Sequence, residues 1–507
     1  MKIKSVRIKG FRGYAEAICV DMSDLLVLVG KNDVGKSTVL EALDLFFNEG
    51  KGTVKLDKED INKDNARDGD DMIEISVEFS DLPDRLVIDA TNETSLSDEY
   101  LLTEADTLLV TKRYPKAGAQ KVFIVAHHPT AESCRDLLLK KQTDLKKLLD
   151  EQSIECADKT RNAEIRKAIW AAQETLALGT VEVEVAKIDA KNIWDQLKAH
   201  MPLFSLFQSD RKNSDGDSEV QDPMRLAVRE ILGDPAIQAA LANVADTVKT
   251  RLDEVAAQTL AKLSELNPEI ASSLNPRIPE HGALKWGDVF KSVAIAGDEE
   301  IPINKRGSGV KRLILISFFR AEAERRRRDS GLPGVVYAIE EPETSQHPDH
   351  QRALIDALIQ LSEAPDTQII LTTHSPEIVK RLEFDHLLLI AGQRPEQITK
   401  VRANELPYPS LNEVNFAAFD ETSVEYHNEL YGFLEAEGKW VQFASSKPTV
   451  PYNRLKSDGS TTQQQIPLTT YIRHQIHHPE NTHNPPYTQQ QLRQSIEDMR
   501  AYIKDNL

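Results

Sequence analysis

Residues 30–37 read Gly30-Lys31-Asn32-Asp33-Val34-Gly35-Lys36-Ser37 and fit the pattern G-x-x-x-x-G-K-[ST]. The apolar run 25–29 precedes them and the amphipathic segment 36–47 follows, which is the strand and helix context that a phosphate-binding loop requires. The two glycines let consecutive backbone N–H groups turn towards an anion, and the helix adds its positive N-terminal end. The sequence therefore predicts that this loop binds a nucleoside triphosphate.

The side chains of the loop indicate ATP and Mg²⁺ as cofactors. We expect Lys36 to reach the β- and γ-phosphates and the Ser37 hydroxyl to bind Mg²⁺. The predicted nucleotide-binding positions of this segment are Gly30, Asn32, Asp33, Val34, Gly35, Lys36, Ser37 and Thr38. A glycine-rich turn without a ligand is the alternative, and the flanking strand and helix disfavour it.

A second candidate element is the run 335–343, in which strand-forming residues lead to Glu340 and Glu341. Successive side chains of a strand point to opposite faces, so adjacent carboxylates at a strand end can take different roles. We expect Glu340 to orient Mg²⁺ and Glu341 to position the water that attacks the γ-phosphate. An acidic turn after a buried strand is the alternative, and the phosphate-binding loop in the same chain makes it less favoured.

A third apolar run, 368–372, leads to His374. Ligands of open α/β sheets bind at the carboxyl ends of the strands. His374 is therefore a candidate to sense or polarise the γ-phosphate. A helix-capping or packing histidine remains the alternative.

The composition of the 507-residue chain fits a protein of roughly two to four domains. No apolar run approaches the roughly 18–20 residues of a membrane-spanning helix, and the N-terminus lacks the apolar block of a signal peptide, so we expect a cytoplasmic protein without a membrane segment. The three cysteines support neither a disulfide framework nor a zinc site. The net charge of −19 argues against a surface that is basic throughout, yet it is compatible with a local basic groove for nucleic acid.

Strand-like runs occur in two separated parts of the chain, 1–130 and 285–405. The charge-rich helical patterns of 131–284 predict an inserted helical arm between them. Residues 406–507 are less acidic and predict a mainly helical C-terminal module. We therefore predict an α/β fold whose two halves come together in space.

Two further motifs complete a resemblance to a known family. Residues 10–14 read Gly-Phe-Arg-Gly-Tyr after the first strand, and residues 306–312 read Arg-Gly-Ser-Gly-Val-Lys-Arg before an apolar helix. With the elements above, they resemble the ABC-type P-loop ATPase heads of the SMC, RecF and OLD group. The resemblance implies that Arg12 approaches the nucleotide, and that Ser308 and Gly309 cap the γ-phosphate bound to the opposite subunit. It implies ATP hydrolysis by a head-to-head dimer with two composite sites.

Departures from the family pattern bear on the activity. Glu340 stands where many ABC proteins have Asp, and no Q-loop glutamine is identified, so slow or regulated hydrolysis is expected. No Toprim nuclease set follows His374, and the insertion and tail are similar to the ATPase subunit of Septu-type anti-phage systems. This resemblance implies a separate HNH-type nuclease as the partner protein. The basic run 325–328 is a candidate contact to DNA or RNA, or else a solvated helix end.

The tail contains one more candidate site, Arg473 and His478. Their R-x4-H spacing resembles the RNase motif of HEPN domains, in which His acts as acid or base and Arg binds the phosphate. Metal binding by the neighbouring histidines and a packing or partner-docking helix remain open alternatives. Two alternative functions follow, namely a self-contained RNA nuclease controlled by the ATPase head and a DNA-repair ATPase of the RecF kind.

Overall fold

The computed structural model describes residues 1–31, 34–87, 93–116, 119–185, 191–208, 334–343, 348–391, 397–400, 410–457 and 459–507, with further positions between 228 and 250, between 317 and 326, and at 406 and 408. The chain divides into two units, the first formed by Met1–Leu206 with Gly334–Leu507 and the second by Phe207–Pro333. Among the described residues, no helix is long and apolar enough to cross a membrane.

Strands and helices of the described residues are numbered in chain order. The strands are β1 (Lys2–Lys9), β2 (Ile18–Asp21), β3 (Leu25–Val29), β4 (Met72–Ser80), β5 (Leu86–Val87), β6 (Glu93–Thr94), β7 (Leu108–Pro115), β8 (Lys121–Pro129), β9 (Leu178–Glu184), β10 (Leu203–Phe207), β11 (Val335–Glu340), β12 (Thr367–Thr373), β13 (Leu387–Ala391), β14 (Gln397–Lys400), β15 (Thr449–Leu455) and β16 (Thr461–Pro467). The helices are α1 (Lys36–Asn48), α2 (Lys63–Arg67), α3 (Gln142–Glu151), α4 (Asn162–Ala171), α5 (Lys191–His200), α6 (Pro348–Ser362), α7 (Pro376–Val379), α8 (Leu411–Phe419), α9 (Val424–Ala436), α10 (Trp440–Ser445), α11 (Leu468–His477) and α12 (Gln489–Asn506).

The phosphate-binding loop follows a central strand of a sheet with the order β10-β11-β12-β3-β13-β14. The strands β11, β12, β3 and β13 are parallel, and β14 is antiparallel to β13. All side chains of β3 and β12 are buried, as is usual for strands of a parallel sheet that is covered on both faces. The two strand-rich parts predicted at 1–130 and 285–405 therefore share one sheet.

A second sheet, with the order β2-β1-β4-β7-β8-β9, is antiparallel throughout. Helix α1 packs between the two sheets, touching β4 on one side and β11 and β12 on the other. Its buried side chains Val39, Leu43 and Phe46 join the hydrophobic core that both sheets share. The loop before α1 is thus anchored to the centre of the unit.

The segment 131–206 differs from the helical arm predicted for it. Helices α3, α4 and α5 do occur there, but β9 extends the antiparallel sheet beside β8, and β10 is the edge of the sheet that contains β11. The apolar side chains of the segment, such as Leu145, Ile165 and Ile169, belong to the core of the first unit. Short amphipathic helices gain most of their stability by burying an apolar face in such a core. The structure therefore moves the start of the inserted unit from residue 131 to Phe207.

The second unit is helical over residues 235–247. Within it the buried side chain of Arg326 lies 2.7 Å from Glu322 and 3.6 Å from Glu230. One member of the basic run 325–328 is therefore paired inside the unit. The strand-like run 292–295 and the motif 306–312, with Ser308 and Gly309, lie outside the described residues.

The C-terminal module (residues 406–507) has a core of its own, formed by α9, α10, α11 and α12. It also contains the β15–β16 hairpin, which its glutamine-rich second strand did not predict. Helix α8 packs on α7 and β13, so the module belongs to the same unit as the head. The predicted C-terminal module is therefore not an independent unit, because α8 packs partly against the head.

Candidate functional site

Three elements predicted from the sequence meet at one edge of the parallel sheet. Strands β3, β12 and β11 are adjacent and parallel, with Val29 opposite Thr373 and Thr372 opposite Glu340. The phosphate-binding loop, His374 and Glu341 follow directly after these strands and therefore leave the sheet at the same edge. Ligands of α/β sheets bind at such an edge.

Gly30 and Gly35 shape the loop. Gly35 has a left-handed φ of 97° and caps the N-terminus of α1. Gly30 has a φ of 156°, and a Cβ at this position would lie 2.4 Å from the carbonyl oxygen of Ile390 in β13. Position 30 therefore requires glycine both for its conformation and for the space available. Asn32 and Asp33 lie outside the described residues.

Lys36 is folded over the loop and is 4% exposed. Its Nζ donates hydrogen bonds to the carbonyl oxygens of Gly30 and Lys31, both at 2.8 Å. Ser37 and Thr38 follow in the first turn of α1, a fully described helix whose N-terminus has neither a side-chain cap nor an acidic residue in its first turn. A buried ammonium and an uncapped helix N-terminus together favour an anion at this loop.

The turn after β1 packs against the loop and against α1. The Tyr14 hydroxyl donates to the carbonyl oxygen of Gly35 at 3.0 Å, and burial raises the pKa of this phenol. Arg12 has a left-handed φ of 49°, and its guanidinium pairs with Asp60 at 2.8 Å and with Glu41 of α1. Arg12 thus lies beside the helix that carries the loop, and its contact with a nucleotide stays a prediction.

Glu340 ends β11, and Glu341 turns away from the strand with a left-handed φ of 40°. The N–H of Glu341 donates to the carbonyl oxygen of Thr372 at 3.0 Å. Residues other than glycine rarely adopt this conformation, which persists where neighbouring contacts enforce it. The carboxylate Oε2 of Glu341 lies 3.3 Å from Nδ1 of His374.

Glu343 is the residue that the sequence did not identify as functional. Its Oε1 accepts hydrogen bonds from the Thr373 hydroxyl at 2.7 Å and from the His374 N–H at 2.8 Å. The same oxygen lies 3.5 Å from Nδ1 of His374. The sequence offered one indication of a role for Glu343, its place in the run Glu-Glu-Pro-Glu at 340–343. That run does not indicate which strand Glu343 contacts.

The residues at this edge fit ATP with Mg²⁺. Ser37 supplies a hydroxyl and Glu340 a carboxylate, which are oxygen ligands of the type that Mg²⁺ prefers. Lys36 and the N-terminus of α1 supply positive charge for the phosphates. Glu341 and His374 are groups that can accept or donate a proton.

The candidate pair in the tail has separate partners. The Arg473 guanidinium stacks 4.0 Å from the ring centre of Tyr431 and lies 3.5 Å from Glu435. His478 follows the end of α11, and its Nδ1 is 3.1 Å from Glu480. Within the described ranges, no three His, Cys, Asp or Glu side chains form a group that could hold a metal ion. An RNase role for Arg473 and His478 therefore stays a prediction.

Known proteins with similarity to this chain include a nuclease and two SMC heads. The OLD nuclease from Thermus scotoductus is 22% identical over 424 residues, which are 81% of this chain and 66% of that protein. The chain thus spans slightly less than two thirds of that relative. The SMC head bound to the C-winged helix domain of ScpA has a TM-score of 0.38 and 14% identity, covering 80% of this chain and 99% of the other. The SMC head domain from Thermotoga maritima has a TM-score of 0.32 and 12% identity, covering 79% and 100%.

A match to a protein family covers most of the chain. Residues 1–379 match the AAA ATPase domain. The match includes the phosphate-binding loop, the carboxylates after β11 and His374, which are the elements that converge at the sheet edge. The chain therefore belongs to the AAA ATPase domain family, with an α/β fold in which the phosphate-binding loop follows a central strand of a parallel sheet.

Proposed function

We propose that this chain is a cytoplasmic enzyme that binds ATP with Mg²⁺ and hydrolyses it to ADP and phosphate. The proposal rests on the positions of Lys36, Glu341 and His374. All three lie in segments that follow adjacent parallel strands at one edge of the sheet. A buried ammonium, a carboxylate and an imidazole at one edge are suited to phosphoryl transfer to water.

Each residue has a distinct role in this proposal. Lys36 binds the β- and γ-phosphates, and Glu341 positions the attacking water and accepts its proton. His374 lies at the γ-phosphate and senses its presence. Bound Mg²⁺ would neutralise phosphate charge, with Ser37 and Glu340 as its protein ligands.

The proposal includes a head-to-head dimer. In ABC-type heads the signature motif completes the site of the opposite subunit, and the residues in the corresponding motif here are Ser308 and Gly309. Each site then needs two chains, so ATP binding favours the dimer and hydrolysis releases it. The two glycines of the motif suit it to close contact with phosphate.

We further propose that the ATPase regulates or scaffolds a nuclease in anti-phage defence. The similarity to a protein named OLD nuclease supports a link to nucleic acid cleavage. For this nuclease we propose a separate HNH-type partner protein, because the insertion and the tail resemble the ATPase subunit of Septu-type systems. DNA or RNA would then be bound by the complex.

Glu341→Gln tests the ATPase proposal. We expect it to lower the rate of ATP hydrolysis by about a hundredfold or more, because the amide cannot accept a proton from water, while ATP binding persists. Phosphate release and equilibrium binding of ATP measure the two effects. The control is Glu377→Gln in the first turn of α7, where the carboxylate pairs with Lys380 and Arg352. Unchanged hydrolysis in Glu341→Gln would refute the role of Glu341.

A second experiment tests the partner. If a small HNH protein is encoded beside this chain, the two proteins should co-purify after co-expression. Nuclease activity of the complex should differ at least about threefold between wild type and Glu341→Gln at saturating ATP. Equal activity in both complexes would reject ATP-dependent regulation, and an adjacent HNH protein that fails to bind would reject this partner.

A further inference from the structure

The carboxylate of Glu343 is buried beside the candidate histidine. The side chain is 3% exposed, although it carries an ionisable group. Its Oε1 accepts two hydrogen bonds, from the hydroxyl of Thr373 and the backbone N–H of His374. Thr373 in turn accepts a hydrogen bond from the N–H of Ser375 at 3.0 Å. Glu343 therefore holds the segment that leads from β12 to α7.

The second oxygen of Glu343 is not satisfied in the same way. Oε2 is buried and has no hydrogen-bond partner among the residues that the structure describes. Burying a carboxylate is costly unless all its lone pairs are used. Glutamine would accept the same two hydrogen bonds without this cost, so the fold alone does not require a charge at position 343.

His374 lies between two carboxylates of different exposure. Its Nδ1 is 3.3 Å from Glu341, whose side chain is 27% exposed, and 3.5 Å from Glu343. An imidazole has one Nδ1–H to donate, so the two carboxylates compete for it.

We propose that Glu343 is a positioning residue that holds His374 as the Nδ1–H tautomer and draws that N–H away from Glu341. This inference rests on the proposed ATPase function. With the N–H directed to Glu343, the more exposed Glu341 keeps its lone pairs for water. Without the buried charge, His374 would bind Glu341 and compete with the water that Glu341 has to position.

A double-mutant cycle tests whether Glu343 acts through His374. Glu343→Gln keeps an acceptor for Thr373 and for the His374 N–H but removes the charge. We expect it to lower kcat for ATP hydrolysis about tenfold and to change KM less than about twofold. In a His374→Gln background the same change should alter kcat less than about twofold. An equal loss of kcat in both backgrounds would overturn the proposal.

A matched control separates this effect from a general loss of stability. Glu99 is also a buried carboxylate, paired with Arg166 at 2.6 Å in the part of the unit formed by the antiparallel sheet. We expect Glu99→Gln to lower the melting temperature at least as much as Glu343→Gln while kcat at a temperature below both transitions stays at the wild-type value. A matching loss of kcat in Glu99→Gln would show that destabilisation suffices and would overturn the assignment to Glu343.

Nitrogen NMR of ¹⁵N-histidine-labelled protein gives a readout that does not need activity. The His374 signals are assigned by their loss in His374→Gln, and their shifts distinguish the two tautomers of the neutral ring. We expect the Nδ1–H tautomer in the wild type, with Glu343 as the acceptor, and the same tautomer in Glu343→Gln, where Glu341 becomes the acceptor. A predominantly Nε2–H wild-type ring would overturn the proposal even if Glu343→Gln did not fold. Absence of ATP hydrolysis by the wild type would instead refute the proposed function and leave the NMR result to decide this inference.

Discussion

At position 30, a single Cβ would create both a steric and a conformational conflict. It would lie 2.4 Å from the carbonyl oxygen of Ile390, at a φ of 156° that L-residues rarely adopt. We expect Gly30→Ala to lower the free energy of unfolding by about 1–3 kcal/mol and to weaken ATP binding about tenfold or more, because the loop has to move from its neighbour strand. Urea denaturation and calorimetric titration with ATP measure the two changes.

Gly432 provides the matched control for this substitution. It lies within α9, and a Cβ added there meets nothing within 4 Å. Gly432→Ala should raise the free energy of unfolding by about 0.5–1 kcal/mol, since alanine has less backbone entropy to lose in a helix. ATP binding should be unchanged. Wild-type ATP affinity in Gly30→Ala would contradict the steric argument.

Among the elements, α1 is fixed at its C-terminal end by a partly buried group of charges. Lys112 of β7 donates to the carbonyl oxygen of Phe46 at 2.7 Å and lies 3.1 Å from Glu49. Lys198 of α5 donates to the other Glu49 oxygen at 2.5 Å. Burial lowers the pKa of Lys112 to about 8, against the opposing effect of Glu49. The helix that begins at the phosphate-binding loop thus ends in contact with β7 and α5.

This end of α1 predicts a pH dependence of stability. Burial by itself would raise the pKa of Glu49, but the hydrogen bond from Lys198 and the charge of Lys112 outweigh it and lower the pKa from 4.5 to about 2. Because the folded pKa is below the unfolded one, the carboxylate stabilises the fold fully above about pH 4.5, and this stabilisation is lost as the pH falls towards about 2. We expect Glu49→Gln to be less stable at neutral pH and to lose less stability on acidification.

Urea denaturation at a series of pH values from about 6 to about 3 measures this dependence. Glu16→Gln is the control, because Glu16 is exposed. It should retain the wild-type dependence on pH. If Glu49→Gln lost as much stability as the wild type over this range, Glu49 would not be the group responsible.

For the whole molecule, the main prediction concerns nucleotide-dependent assembly. We expect Glu341→Gln with ATP and Mg²⁺ to form a dimer, because ATP remains bound between two heads when hydrolysis is blocked. Light scattering coupled to gel filtration should show a doubling of mass on addition of ATP. Lys36→Ala in the Glu341→Gln background should remain monomeric, since it lacks the phosphate-binding ammonium. A mass that does not depend on ATP would argue against the proposed dimer.

The position of the C-terminal module bears on where the proposed nuclease activity lies, in this module or in a separate protein. The module touches the head at the phosphate-binding loop, where Asp420 lies 3.8 Å from Lys31, and at α7, where Asn415 donates to the carbonyl oxygen of Pro376 at 3.3 Å. These contacts give the module a direct route by which it can respond to the nucleotide bound at the head. They do not require the module to be an enzyme.

Substitutions in the tail distinguish a nuclease site in the tail of this chain from a nuclease in a separate protein. We expect Arg473→Ala to destabilise the protein by about 1 kcal/mol through loss of its stacking on Tyr431, and His478→Ala to have a smaller effect. ATP hydrolysis should stay within about twofold of the wild type in both. Thermal melting and ATPase assays measure this. Loss of RNA cleavage in both variants, with intact ATPase activity, would favour the tail enzyme over a separate nuclease.

Local patterns in the sequence were enough to predict the strands β3, β11 and β12 and the helix α1 to within two residues. A buried parallel strand is a continuous apolar run, and a phosphate-binding loop is a contiguous motif, so both can be recognised without knowing their neighbours. The carboxyl ends of parallel strands lie at one edge of a sheet, so the residues that follow these strands were expected near each other without knowledge of the strand order. The positions of Lys36, Glu341 and His374 at one sheet edge could be predicted for this reason, and their roles stay predictions.

Other features depended on neighbours that are distant in the chain. Glu343 contacts His374, which lies 31 positions away in the sequence. Arg12 likewise pairs with Glu41 and Asp60, which are distant from it in the sequence. Residues 131–206 have a helical pattern, yet an available sheet edge and an existing core determined where they pack. The sequence alone thus determined the chemistry of the phosphate-binding site. Only the tertiary structure decided how its charges are paired, because burial and pairing depend on which distant side chains fill the same space.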